Sequence, residues 1–295
     1  MVYLATPLAA PGARFRELLA APGILGIPGA HNGMAALQAR DAGFDALYLS
    51  GAAMSASMGL PDVGLLGIDD VRFFIRQVAG ASGLPLLVDG DTGFGEALNA
   101  MRMVAAFEAA GAAAVHIEDQ VLPKKCGHLA DKRLVSADEM AAKIAACARA
   151  RRDLYLIART DAVAVEGMDA AVARAKRYVA AGADAVFPEA LTSADMFRAF
   201  AEALPGVPLL ANMTEFGKTP MLGADEFEAL GYAMVIWPVS SLRVANKAQE
   251  ELYAALAAEG KTSAMLTRMQ TRDALYATLR YAEYERLDGE LARRT

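Results

Sequence analysis

Residues 85–93 read PLLVDGDTG, an apolar run that stops abruptly at Asp89 and Asp91. A short aliphatic run bounded by glycine and polar residues reads as a buried strand whose end meets solvent. The following stretch, EALNAMRMVAAFEAAGAA (residues 96–113), has helix-forming composition and closes on the Gly-Ala expected just past a helix end. The same unit recurs in ILGIPGAHN (24–32), ALYLSG (46–51), AVHIEDQ (114–120), LYLIARTD (154–161), AVFPEA (185–190), PLLANMTE (208–215) and MVIWPVSS (234–241), making eight strands separated by helical stretches. Near-continuous apolar strands imply a parallel sheet covered on both faces, so eight such units predict a closed (β/α)8 TIM barrel. A doubly wound sheet is the competing arrangement, but no dinucleotide fingerprint supports it. In GDTGFGEAL the third glycine of GxGxxG falls on Leu98, and the P-loop suggested by Gly217 to Thr219 has Asn212 where a glycine is required.

Hydrophobic residues are 55% of the 295-residue chain and charged residues 22%, enough to build one large core. The barrel is expected to span 1–295 as a single domain, with 239–295 forming the last helix and a C-terminal oligomerisation segment. Leu275, Tyr276 and Leu279 lie there at helical spacing. The net charge of -6 comes without a basic run, which argues against nucleic acid as a partner. The longest stretch free of charged residues, Leu18 to Ala39, is interrupted by Pro22 and Pro28, so no membrane span is expected. MVYLATPLAAPGARFRE at the N-terminus has no basic n-region, and a cytoplasmic location is expected. The two cysteines have no zinc-type spacing and read as free thiols.

In a barrel of this kind the chemistry sits at the C-terminal strand ends. Those ends carry Ser50 and Gly51; Asp89 and Asp91; His116, Glu118 and Asp119; Arg159 and Asp161; Glu189; Asn212 and Thr214; and, after the last strand, Arg243. Side chains two apart on a strand share a side, which pairs Asp89 with Asp91 and His116 with Glu118. Crowded carboxylates raise one another's pKa unless a cation is present, and hard oxygen donors suit Mg²⁺, with Mn²⁺ as a substitute. Arg159, Arg243, Lys124 and Lys125 would add positive charge suited to a small polycarboxylate substrate. In KKCGH (124–128), Cys126 sits beside two lysines and His128, which favours a titratable thiol on a loop able to close over the mouth. Cys147, with Met140 and Ile144 at helical spacing, reads as a core thiol.

KKCGH downstream of HIEDQ (116–120), with VDGDTGFG (88–95) before it, resembles the isocitrate lyase and phosphoenolpyruvate mutase superfamily. The resemblance runs nearly end to end, through YLSG (48–51), GLPD (59–62), ARTDA (158–162), FPEA (187–190), NMTEFGKTP (212–220) and MQTR (269–272). The cysteine loop points to the carbon–carbon lyase branch, and NMTEFG to cleavage of 2-methylisocitrate into pyruvate and succinate. That resemblance implies a Mg²⁺ held by Asp89 and Asp91 and a water-mediated role for Glu118. It places Ser50, Gly51 and Ala52 at the pyruvyl part, although Ala52 replaces a glycine of the family. Arg159, Glu189, Asn212, Met213, Thr214, Arg243 and Arg272 would contact substrate, with Cys126 and Gly127 on the closing loop. It further implies a helix-swapped homotetramer.

Cleavage needs a base for the hydroxyl proton, positive charge to stabilise the oxygens of the pyruvyl side and an acid for the succinate carbanion. Cys126, supported by Lys124 and His128, fits the acid; Asp62 and Tyr48 are the candidates for the base. The rival activity is 2,3-dimethylmalate cleavage, or that of another 2-hydroxy-carboxylate lyase of the superfamily. From a different class comes a barrel that binds carboxylates without turning them over.

Overall fold

The apolar runs become strands in which nearly every residue is buried, as a sheet covered on both faces requires. A computed structural model describes residues 9–125 and 131–293. Its strands are β1 (Leu25–Pro28), β2 (Leu47–Leu49), β3 (Leu86–Asp89), β4 (Ala114–Glu118), β5 (Tyr155–Thr160), β6 (Ala185–Pro188), β7 (Leu210–Asn212) and β8 (Met234–Trp237). All pair in parallel, in the orders β2-β3-β4-β5-β6 and β1-β8-β7. Two isolated bridges, Gly29 with Tyr48 and Val186 with Leu209, join these arcs and close the barrel. The register sets Asp89 beside His116 and Glu118 beside Arg159.

Helices form where apolar residues recur at helical spacing. Ile68–Ser82 buries Val71, Phe74, Ile75 and Val78 and stops at Gly83, whose φ of 69° suits a residue without Cβ. Ala137–Ala150 starts with a capping box between Ser136 and Glu139 and buries Met140, Ile144 and Cys147. Cys147 is therefore the core thiol expected, its pKa pushed up to about 12 by burial.

Inside the barrel, Ile27, Leu87, Ile157, Leu210 and Met234 pack with Phe15, a residue of the helix Pro11–Ala20. Each such aliphatic side chain contributes about 1.5–3 kcal/mol by leaving water. Phe15 lies against Tyr155 at the start of β5, with ring centroids 5.4 Å apart, and so plugs the N-terminal end of the barrel.

Between β4 and the helix at Ala137 the chain makes an excursion whose base is a short antiparallel pairing. Val121 N donates to Arg133 O, and Val135 N donates to Asp119 O. Cys126, Gly127 and His128 lie outside the described residues.

After β8 come the helix Ser240–Glu259, a 3-10 turn Ser263–Arg268 and the helices Arg272–Thr278 and Tyr281–Ala292. The expected stripe does not pack on its own barrel: Leu275 is half-buried, and Tyr276 and Leu279 remain about 40% exposed. The last two of these helices are separated at Arg280, whose φ of 55° interrupts the helical turn.

Candidate active site

The C-terminal strand ends surround a cavity of about 100 Å³. Tyr48, Ser50, Asp62, Asp89, Lys124, Arg159, Glu189, Asn212, Thr214 and Arg243 line it on the polar side, and Ala52, Phe187, Ile236, Pro238 and Val239 on the apolar side. Sequence reasoning had already singled out every one of the polar residues.

Asp89 and Asp91 do meet, though not by strand alternation. β3 ends at Asp89, and Asp91 takes a left-handed turn with φ of 45° that returns its carboxylate towards the same spot. That spot is Gly51, at the start of the helix Gly51–Ser57 capped by Ser50. A Cβ on Gly51 would stand 3.0 Å from Asp89 Oδ2 and 3.3 Å from Asp91 Oδ1, so a side chain there would push both carboxylates aside by a few tenths of an ångström. Gly51 N–H donates to Asp89 Oδ2 over 3.0 Å, and Asp91 N–H to Asp89 Oδ1 over 3.2 Å.

Lys124 is 3% exposed and reaches into this cluster, 2.5 Å from Asp62 and 2.7 Å from Asp91. Burial opposes its charge, but Asp91, Glu118, Asp89 and Asp62 outweigh burial and hold the ammonium well above the usual lysine range. The Lys124 ammonium thus faces Asp62 and Asp91, while the Cys126 thiol it was expected to tune lies outside the described residues. The backbone of Lys125 is clamped on both sides by the Gln120 amide, at 2.9 Å each way.

Arg159 faces three carboxylates. It makes a two-pronged contact with Asp161, at 3.0 and 3.2 Å, and approaches Glu118 at 3.2 Å and Glu189 at 3.7 Å. Asp161 also accepts from Lys132 Nζ at 2.7 Å; burial pushes its pKa up, but Arg159 and Lys132 bring it below the usual range. Asn212 Nδ2 donates to Glu189 Oε2 over 3.2 Å.

The cations do not balance the carboxylates. Burial raises Asp91 to about 6; Lys124 opposes this, and repulsion from Asp89 and Asp62 adds to it. Glu118, 1% exposed, is driven well above the carboxylate range by burial, and repulsion from Asp161 and Asp89 offsets the help of Arg159 and Lys124. No well-aligned hydrogen bond reaches either Glu118 oxygen, or Asp91 Oδ1 despite the nearby ammonium. The mutual repulsion expected from the sequence is present.

Tyr48 and His116 lie deeper. The Tyr48 hydroxyl is 2.9 Å from His116 Nε2 and 3.3 Å from Asp89 Oδ2. His116 is fully buried between the rings of Tyr48 and Phe187, and burial takes its pKa down to about 4.

Two expected substrate contacts are placed elsewhere. Met213 alternates away from Asn212 and Thr214, and its side chain packs into the apolar layer with Phe197 and Phe227. Arg272 opens an outer helix, is exposed, and is not among the residues lining the mouth. Arg243 stands at the rim, where its guanidinium donates to Glu215 and lies 5.3 Å from the Phe216 ring centroid. Sequence reasoning missed Lys132, Gln120 and Glu215. Lys132 and Glu215 are defined by partners more than twenty residues away, and Gln120 by a backbone clamp on Lys125 that no local pattern marks. The apolar wall was visible as strand residues but carried no signal that it faced the cavity.

Among the described residues no three His, Cys, Asp or Glu side chains converge as a complete metal cage. Mg²⁺ rarely needs one: it is held by one or two carboxylates and keeps several waters. Asp89 and Asp91, brought together over Gly51, with Asp91 Oδ1 facing only the Lys124 ammonium without a well-aligned hydrogen bond and with an excess of negative charge around them, fit such an ion.

Comparison with known proteins places this geometry in context. The model of the phosphoenolpyruvate phosphomutase family matches residues 15–257. The chain is 55% identical to the 2-methylisocitrate lyase of Bacillus subtilis (strain 168), over 95% of this chain and 93% of that protein. Its structure is similar to that of 2,3-dimethylmalate lyase, a PEP mutase/isocitrate lyase superfamily member, with a TM-score of 0.90, 35% identity, and coverage of 97% of this chain and 96% of that one. It is similar too to phosphonopyruvate hydrolase in complex with oxalate and Mg++, with a TM-score of 0.84, 32% identity, and coverage of 94% of this chain and 97% of that one.

Proposed function

The chain belongs to the phosphoenolpyruvate phosphomutase family, within the superfamily that includes isocitrate lyase, and from that premise we propose that it is a carbon–carbon lyase cleaving 2-methylisocitrate to pyruvate and succinate. The observation that carries this reading is the 55% identity to a 2-methylisocitrate lyase over 95% of the chain, against 35% to the 2,3-dimethylmalate lyase. The charged mouth agrees with it. A tricarboxylate needs several cationic or amide partners, and Arg159, Lys124, Arg243, Asn212 and the amide end of the Gly51–Ser57 helix surround one small cavity.

Asp89 and Asp91 would hold Mg²⁺, which when bound supplies positive charge to polarise the substrate's oxygens. The residues of the chain do the rest. A base, Asp62 or Tyr48, takes the hydroxyl proton, and the C–O bond becomes the carbonyl of pyruvate as the adjacent carbon–carbon bond breaks. The bonding electrons pass to the carbon next to a succinyl carboxylate, where an acid delivers a proton. Cys126 on the excursion after β4 is that acid, with Gly127 and His128 beside it. Arg159, held in one orientation by Asp161 and Glu189, binds a substrate carboxylate. Phe187, Ile236, Pro238 and Val239 exclude water from the reacting carbons.

Incubation with Mg²⁺ and, separately, 2-methylisocitrate, isocitrate and 2,3-dimethylmalate, followed by assay of the 2-oxo acid or aldehyde released, tests the reading. Preferential turnover of 2-methylisocitrate is expected; preference for 2,3-dimethylmalate would replace it, and no turnover would leave a binding barrel. Cys126→Ser should keep fold and metal binding while losing most turnover. The exposed faces of the last helices, with Tyr276 and Leu279, fit burial against another copy in a homo-oligomer. Sedimentation as a monomer at micromolar concentration would reject that assembly.

A further inference from the structure

Tyr48 has a single hydroxyl proton and two polar neighbours, His116 Nε2 at 2.9 Å and Asp89 Oδ2 at 3.3 Å. An ionised carboxylate only accepts. If both contacts are hydrogen bonds, the phenol proton goes to Asp89, and His116 Nε2 must itself carry a hydrogen and donate to the phenol oxygen. A second observation gives the same answer independently. His116 Nδ1 is buried and has no hydrogen-bond partner. The Nδ1–H tautomer and the imidazolium would each strand an N–H in the interior, and buried donors without acceptors are rare. Only the Nε2–H tautomer avoids this. Stacking on Tyr48, with planes 19° apart, and the edge-on contact with Phe187 at 5.4 Å hold the plane of the ring, and within that plane the contact with Tyr48 selects the orientation that puts Nε2 against the phenol.

We propose that His116 is locked as the neutral Nε2–H tautomer and donates to Tyr48, so that Tyr48 presents its one proton to Asp89 and serves in the mouth as a fixed donor, not as the base. His116 is then a positioning residue, acting through Tyr48 on the orientation of Asp89. Gly51 N–H and the Tyr48 hydroxyl both land on Asp89 Oδ2, and Asp91 N–H lands on Oδ1, so the carboxylate is held from three directions. This arrangement leaves Asp62 as the base. The tautomer stands on geometry alone; the assignment of the base rests on the lyase reading above.

The chain has only three histidines, so nitrogen-15 labelling of histidine followed by two-bond nitrogen–proton correlation resolves each ring, and His116 is assigned by its loss in His116→Gln. A ring protonated at Nε2 and bare at Nδ1 at neutral pH is expected. Protonation at Nδ1, or at both nitrogens, overturns the proposal. This spectrum needs no substrate, so it stands even if the lyase reading fails. In turnover assays Tyr48→Phe should lose rate in kcat by about a hundred- to a thousandfold, the scale for removing one fixed hydrogen-bond donor, with KM little changed. Collapse to the uncatalysed rate would show that Tyr48 is the base and overturn the fixed-donor role. His116→Gln, whose amide can still donate to Tyr48, should keep more turnover than His116→Leu; equal losses would reduce His116 to a packing residue. If either variant fails to fold, the spectrum of the unaltered protein still decides.

Discussion

The two ends of the barrel handle buried charge in opposite ways. At the N-terminal end Glu108 accepts from the backbone amides of Arg152, Asp153 and Leu154, and Asp153 in turn accepts from Gly12 and Ala13. Every carboxylate oxygen there has a donor. At the C-terminal end five side-chain atoms, Asp91 Oδ1, His116 Nδ1, both Glu118 oxygens and Asn212 Oδ1, are buried without a hydrogen bond. The larger cavity, about 630 Å³ lined by Arg76, Glu108, Arg152 and Asp153, is nevertheless at the satisfied end. Volume alone therefore misidentifies the reactive site; the clustering of unsatisfied polar groups marks it, whereas Tyr232 Oη, just before β8, is buried without a partner by itself. One end is built for stability, while the other withholds partners that a substrate and a cation can supply.

This contrast can be broken at several points. Asp91→Ala should have the largest effect, lowering kcat/KM by on the order of a thousandfold because it removes a charge that acts in the transition state. Calorimetry should show Mg²⁺ binding lost, and melting should show the fold kept. A loss under about tenfold would return Asp91 to an ordinary turn residue. Glu108→Ala should do the reverse. Stranding three amides that now donate to a carboxylate should cost about 2–3 kcal/mol of stability, read by denaturant titration, with turnover of the folded enzyme unchanged. Cys147→Ser should be milder, about 1–2 kcal/mol for placing a hydroxyl in an apolar layer, again without effect on rate.

The subtlest test is the sign of the pH dependence in the metal-free protein. Burial and like charges raise Asp91 from 3.8 to about 6, so the protonated form is the one the fold prefers. Its contribution is fully present below about 4 and is lost as pH rises through about 6. Glu108 is the opposite case: burial pushes its carboxyl up, but the amides of Asp153, Arg152 and Leu154 together with the Arg152 side chain bring it below 4.5, so its contribution is present above that value and is lost as pH falls. Relative to the unaltered protein, Asp91→Asn should gain stability as pH rises through about 6, and Glu108→Gln should lose it as pH rises through its acidic range. Parallel slopes in melting experiments would erase the distinction between the ends.

The barrel was legible because each strand is a short apolar run with a polar end, as in residues 85–93. The mouth was legible for the same reason: Asp89, Arg159, Glu189 and Asn212 are the first charged or amide residues their runs meet, and Glu118 follows His116 at the strand period. What escaped depends on contacts between distant segments. Nothing local says that Lys124 turns inward to Asp62 and Asp91, or that Lys132 seeks Asp161. The left-handed turn at Asp91 was invisible, and strand alternation produced the right pair for the wrong reason. Met213 could have been excluded by the same alternation, since its neighbours on both sides face the cavity.

The two seams of the barrel divide more than the hydrogen bonding. The five-strand arc from β2 to β6 ends in Tyr48, Asp89, Glu118, Arg159 and Glu189, which are nearly all the charge of the mouth, whereas the three-strand arc of β1, β8 and β7 contributes Asn212, Ile236 and the Pro238–Val239 wall. In the backbone of the sheet, single bridges, with Ala30 N–H donating to Tyr48 O and Val186 N–H to Pro208 O, tie one arc to the other, and Asn212 reaches across to Glu189. Replacements of Ile236, Pro238 or Val239 can therefore recontour the space for a substrate's alkyl substituent while the ionic arrangement across the seam stays intact. Such a division lets a lineage change what it cleaves without rebuilding how it cleaves.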